Sequence, residues 1–180
     1  MKIIPLLLEN ENYINQCAML LKTNFKDFCN ITNAKKTILN SIDESKINII
    51  AVDENDNVLG WICGVEQYNP KVWQIQPLVV HKEHQRKGIG KLLVGEFEKV
   101  VKLSEGMTII LGIEDKDNRT NLSGIDIYPD IFNKIEHIEN LNNHPYEFYI
   151  KVGFKIVGVI PDSNGFGNPD IIMAKRVSYD

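Results

Sequence analysis

From Leu78 to Lys91 the chain reads Leu-Val-Val-His-Lys-Glu-His-Gln-Arg-Lys-Gly-Ile-Gly-Lys, an apolar strand end running through a basic, glycine-bearing turn into a helix. That order commits the middle of the chain to a strand-loop-helix unit. Glycine has no Cβ, so the amides around Gly88 and Gly90 can approach an anion closely. A helix start adds free N–H groups and the positive end of its dipole, and Arg86, Lys87 and Lys91 add charge. Such a loop can cradle a pyrophosphate. A Gly-x-Gly alone would equally suit a tight basic turn before a surface helix. Here the strand before it, interrupted at Pro77, and the amphipathic helix after it both fit the cradle.

The hydrophobic period gives the rest of the order. Lys2–Leu8 reads as a strand, with Pro5 pointing to an edge or a bulge. Ile14, Cys17, Ala18, Leu21 and Phe25 recur at helical spacing. A second helix is predicted over Ala34–Ile42, capped by Thr32 or Asn33. Ile47–Val52 and Val58–Gln67 flank a polar turn as a hairpin. Trp73–Val80 follows as a strand that should bulge or splay at Pro77. Gly90–Leu103 has an apolar face of Leu92, Leu93, Phe97, Val100 and Val101. Met107–Gly112 reads as a strand buried on both faces. After a polar stretch with short helices near Asp130–Leu141, Pro145–Val152 reads as a helix ended by Gly153. Phe154–Ile160 and Ile171–Val177 are closing strands. The expected fold class is α/β (α+β), a mixed central sheet with helices on both faces.

Bulk properties narrow the function. At 180 residues the chain suits a single domain spanning 1–180. A net charge of −4 argues against nucleic acid as a partner. Cys17, Cys29 and Cys63 are odd in number, form no C-x-x-C pair, and read as reduced thiols. His81, His84, His137 and His144 lack zinc-ligand spacing, so no metal is expected. Neither a signal peptide nor a membrane span is legible, and a cytoplasmic location is expected.

The Gln85-Arg-Lys-Gly-Ile-Gly90 string resembles the signature of the GCN5-related N-acetyltransferases. Downstream, Leu122-Ser123, Asp126, Tyr128, Asn140-Leu141, His144–Tyr149, Gly153–Val159, Asn164-Gly165, Pro169–Ile171 and Met173–Lys175 extend the likeness to the aminoglycoside 6'-N-acetyltransferases of enterococcal type. It runs from about Gly60 to Lys175, with the first fifty residues matching only in outline. It implies a splayed sheet, acetyl-CoA as cosubstrate, a homodimer and a cationic amine acceptor. Leu78, Val79 and Val80 would meet the cofactor through their backbone, with the Leu78 N–H as oxyanion donor. Gln85, Arg86, Lys87, Gly88, Ile89, Gly90 and Lys91 would hold the phosphates.

The remaining roles follow from the same resemblance. Tyr149 would stand near the sulfur and protonate the departing thiolate, unless it serves only an aromatic cluster with Tyr146 and Phe148. Where related enzymes offer a glutamate and a histidine two residues apart, this chain has Gln74 and Gln76, and neither is a base. Both would point to one face and orient acceptor or water, or else be solvated polar residues. Asp117 and Asp115 follow the fifth strand, where relatives line the acceptor cleft. They would attract a polycation, or belong to a solvated acidic loop. Phe25 and Tyr68 would border the acceptor, or be core and rim residues. Acetylation of another amine and a non-catalytic acyl-CoA sensor are the competing readings.

Overall fold

Near-continuous apolar runs separated by polar turns over residues 46–80 suit an antiparallel meander, and the computed structural model contains one. The structure describes residues 1–68 and 70–179. Its elements run β1 (Lys2–Pro5), α1 (Glu11–Asn24), α2 (Ile31–Ser41), β2 (Lys46–Val52), β3 (Val58–Tyr68) and β4 (Val72–Val80). A 3-10 turn (Lys82–His84), α3 (Ile89–Leu103), β5 (Thr108–Glu114), α4 (Ile131–Glu136), α5 (Tyr146–Lys151), β6 (Lys155–Ile160) and β7 (Asp170–Arg176) follow. The strands make one mixed, open sheet in the order β1-β2-β3-β4-β5-β7-β6. The chain packs as two compact units, Met1–Ile109 with the residues from Val177 onward, and Ile110–Arg176.

In the first unit β3 separates two layers, because successive side chains leave a strand on opposite faces. Trp61, Cys63 and Val65 join Ile50, Val52 and Val79 beneath α1 and α2, packed on Ile14, Cys17, Ala18, Leu21, Ala34 and Ile38. The other face of β3 carries Gly60 and Gly64. A Cβ on Gly64 would lie 2.1 Å from Cε2 of Phe97, and one on Gly60 would lie 3.0 Å from Cδ1 of Leu93. These two positions have no side chain because α3 occupies that space. Helices therefore cover both faces of this unit.

Inside the α1/α2 layer the Asn48 side chain is buried and hydrogen-bonded at both its oxygen and its nitrogen. Asn48 accepts from the Trp61 indole N–H at 3.0 Å and from the Ser41 hydroxyl at 3.2 Å, and donates to the Ser41 carbonyl at 2.6 Å. A buried amide satisfied on both sides fixes β2, β3 and the end of α2 in one register.

In the second unit β6 and β7 pair antiparallel, with a register shift between Ile156 and Gly158. Helix α5 ends where Gly153 takes φ +96°, letting the Phe154 N–H reach back to the Tyr149 carbonyl at 2.9 Å.

Several expectations need correction. Strand β1 stops at Pro5, which lies opposite Ile49 on the sheet edge, rather than reaching Leu8. Helix α2 begins earlier, because Asn30 caps it by accepting from the Asn33 N–H at 2.8 Å; neither Thr32 nor Asn33 is the cap. Leu92 is exposed, and Ile89 and Val94 take its place on the buried face of α3. Strand β5 alternates, with Ile109 and Leu111 buried but Gly112 exposed, so it is not buried on both faces.

The close approach at Gly64 yields a test. Gly64→Ala should lower stability by about 2–3 kcal/mol through overpacking against a buried ring. Gly95→Ala, whose Cβ would meet nothing within 4 Å, should be neutral or gain up to about 1 kcal/mol from helix propensity. Urea unfolding midpoints of the two variants measure the difference.

Candidate active site

The basic loop is built by its backbone. After β4 the chain makes the 3-10 turn, and Gln85 then extends at φ −63°, ψ 157°. Arg86 at φ +62° and Gly88 at φ +85° are left-handed. Two such residues flanking Lys87 reverse the chain into α3, whose first helical bond runs from the Leu92 N–H to the Gly88 carbonyl at 3.1 Å. The amides of Ile89, Gly90 and Lys91 precede that bond and have no helical acceptor. No acidic residue occupies the first turn of α3. Arg86, Lys87, Gly88 and Lys91 are exposed, whereas the Ile89 side chain is buried and anchors the turn. Gln85 turns back, its side-chain amide donating to the Val80 carbonyl at 3.2 Å. It thus holds the loop to the strand end. Free amides, positive charge and open space at Gly88 together fit a pyrophosphate.

The backbone of β4 can be assigned by alternation. The His81 N–H donates to the Leu59 carbonyl at 2.8 Å, and Gly60↔Val80, Trp61↔Val79 and Ile62↔Leu78 are opposite pairs. Hydrogen-bonded and non-bonded pairs alternate in an antiparallel ladder. Val79 therefore bonds to β3, while the N–H and C=O of Leu78 and Val80 point away from it. That Val80 accepts from Gln85 agrees with this. Val79 also has a buried side chain in the α1/α2 layer, so sheet and core engage it, unlike its two neighbours. At Pro77 the pairing steps from Ile62↔Leu78 to Gly64↔Ile75, leaving Gln76 and Pro77 opposite Cys63 alone. This is the bulge expected at a residue with no N–H to donate. The Gln76–Pro77 bond is cis.

Gln74 lies opposite Val65, which packs in the α1/α2 layer, so Gln74 and Gln76 share that face. Gln74 is half-buried and Gln76 exposed. Phe25 ends α1 in an extended conformation, 38% exposed, with its ring edge-on to Phe28 at 6.4 Å. Tyr68 ends β3 and is exposed.

In the second unit the Tyr149 ring is buried between Phe148 and Phe154, at 5.0 and 5.6 Å in edge-on contacts. Burial raises its pKa well above the usual tyrosine value, so the phenol stays protonated. Asp115 and Asp117 part company. Asp115 is fully buried, its carboxylate accepting from the Arg119 N–H at 3.0 Å, the Thr120 N–H at 3.2 Å and the Thr120 hydroxyl at 2.5 Å. It braces the loop from inside, which leaves it no free oxygen face for an acceptor. Asp117 is exposed on that loop, 4.0 Å from Arg119.

One residue absent from the sequence-level site is His144. It is buried, its Nδ1 faces the Tyr146 N–H at 3.3 Å, and its Nε2 faces the Glu114 carbonyl at 3.3 Å. An N–H at one nitrogen and a carbonyl at the other fix the neutral tautomer protonated on Nε2. The ring thus links the end of β5 to the start of the helix that carries Tyr149. Its sequence signal, a histidine just before a helix-starting proline, is too common to single it out.

Comparison with known proteins identifies the family. A family model described as the acetyltransferase (GNAT) family matches residues 15–123. The crystal structure of an aminoglycoside 6'-N-acetyltransferase complexed with coenzyme A is 37% identical, covering 100% of this chain and 99% of that one, with a TM-score of 0.96. The aminoglycoside 6'-N-acetyltransferase from Enterococcus faecium is also 37% identical over 100% and 99%, with a TM-score of 0.93. At 12% identity, the ribosomal-protein-S18-alanine N-acetyltransferase from Escherichia coli shares the fold, covering 99% of this chain and 95% of that one with a TM-score of 0.70. No curated protein sequence matches the chain.

Two outcomes are expected. Gly88→Val forces a β-branched residue into a left-handed position, at about 1–2 kcal/mol, and should weaken coenzyme A binding by about tenfold. Gly88→Asn, which tolerates that conformation, should bind more tightly than the valine variant by calorimetry. Burial lowers the His144 pKa despite the Glu114 carbonyl and Asp115, with Arg119 acting in the same direction as burial. The unfolded chain therefore takes up that proton first, so stability is present above about pH 6.5 and lost as pH falls through the folded value. Urea stability should drop from about pH 7 to about pH 5 more steeply in the wild type than in His144→Gln.

Proposed function

The chain belongs to the acetyltransferase (GNAT) family, and we propose that this acetyl-CoA-dependent N-acetyltransferase acetylates the 6'-amine of an aminoglycoside. The whole-chain likeness to the aminoglycoside 6'-N-acetyltransferases carries this reading.

In this reading the first-turn amides of α3 bind the pyrophosphate, Arg86, Lys87 and Lys91 neutralise it, and Gln85 keeps the loop in place. Val80 offers its outward backbone to the pantetheine arm. The acceptor's uncharged amine attacks the thioester carbonyl, and the Leu78 N–H stabilises the oxyanion of the tetrahedral intermediate. As the C–N bond forms and the C–S bond breaks, Tyr149 gives its phenolic proton to the thiolate. The proton lost by the amine passes to water. Gln74 and Gln76 orient acceptor or water by hydrogen bonds, Phe25 and Tyr68 offer aromatic faces, and Asp117 offers charge to a cation. The enzyme acts as a cytoplasmic homodimer, the dimer resting on the family resemblance. No helix among the described residues is long and apolar enough to cross a membrane.

Gln74 and Gln76 favour a second reading, a different amine acceptor. Neither side chain supplies charge or a base, and neither has a hydrogen-bond partner among the described residues. A free-thiol assay with acetyl-CoA against kanamycin, tobramycin, spermidine and a lysine peptide separates the two. Rapid thiol release with the aminoglycosides, and a 6'-acetylated product by NMR, is the expected result. Release with spermidine or the peptide alone would replace the aminoglycoside by another amine. Tyr149→Phe should lower kcat about 10²-fold and leave acetyl-CoA affinity unchanged.

A further inference from the structure

We propose that His81, Glu83 and His84 form a site for a divalent transition-metal ion of the zinc type, on the turn that leads into the phosphate-binding loop. In a strand, His81 and His84 would leave the chain on opposite faces. The Lys82–His84 segment is instead a 3-10 turn, in which positions i and i+3 eclipse. His81 and His84 stand at that spacing, and their rings lie 5.4 Å apart. Glu83 joins them, so that one ligand atom from each of the three residues lies within 4.8 Å of the others. Two imidazoles and one carboxylate make a donor set suited to zinc, leaving a fourth position for water.

The remaining contacts are compatible with coordination. The His81 Nδ1 faces the Glu83 N–H at 3.4 Å, a long contact that places the ring's lone pair on Nδ1 and is readily exchanged for a metal bond. The cluster opens into a cavity of about 320 Å³ that Gln16, Met19 and Asp53 also line. Asp53, held by the Asn55 and Asn57 amides, adds negative charge beside His84 from the β2–β3 turn. A bound ion would tie both ends of the turn together, just before Gln85 begins the loop.

The test uses the full chain without a histidine tag, stripped of metal and titrated with Zn²⁺ against a chromophoric chelator. One equivalent should bind with a dissociation constant on the order of micromolar or below. His84→Gln and Glu83→Gln should each weaken binding at least about tenfold, while His137→Gln should not. Saturating Zn²⁺ should raise Tm by about 5 °C in the wild type and not in His84→Gln. Imidazole ¹⁵N spectra should show His81 and His84 shifted by Zn²⁺ and His144 unmoved. Absence of stoichiometric binding at about 100 µM Zn²⁺, unchanged binding in His84→Gln, or perturbation confined to other histidines would overturn the site.

Discussion

The first unit depends on how closely α3 lies against β3. Gly60 and Gly64 bring that about, since any Cβ at Gly64 would enter the Phe97 ring. With the side chains removed, Leu93 and Phe97 descend onto the strand and bury completely. The start of α3 is thereby placed beside the end of β4, with Ile89 as the buried foot of its first turn. An anion site made of backbone amides has no flexible side chain with which to correct a misplaced helix. The position of its donors is the position of the helix axis, so two glycines in a strand core help determine where an anion bound by that turn would sit.

A related economy governs β4. The Pro77 bulge changes which residues pair, and the alternation of the ladder then decides which carbonyls and amides are left for something other than β3. Leu78 and Val80 are freed by that parity and Val79 is not. In the second unit buried polar groups do comparable work. Asp115 satisfies three donors of its own loop, and His144 spans from Glu114 to Tyr146. Both are buried without being left unpaired, and both hold chain segments with a distinct neighbour, the exposed Asp117 in one case and the buried Tyr149 in the other.

Much of this was legible beforehand, for physical reasons that also mark the limit. Strand order and the long helices follow from period and from glycine and proline placement, which are local. The turn into the third helix was legible because Gly88 marks the left-handed residue that starts it. The Asn30 cap, the separate fates of Asp115 and Asp117, and the role of His144 depend on partners three to thirty residues away. An aspartate that braces a loop and one that faces solvent have the same letter and nearly the same neighbours. The spacing of His81 and His84 reads as no metal site, because their proximity depends on a 3-10 turn that nothing in those four letters distinguishes from a strand end.

The two glutamines bear on how the acceptor is deprotonated. A primary amine is mostly charged at neutral pH and becomes nucleophilic only after losing a proton. A carboxylate nearby would stabilise the ammonium form and raise the amine pKa; an imidazole could take the proton itself. Gln74 and Gln76 do neither. In the proposed reading their neutral amides would bring the ammonium no counter-ion of their own, which favours its neutral form, and would offer carbonyls to hold the amine and water in line. An acceptor whose reacting amine is already a weak base suits such a face better than one that keeps its proton tightly.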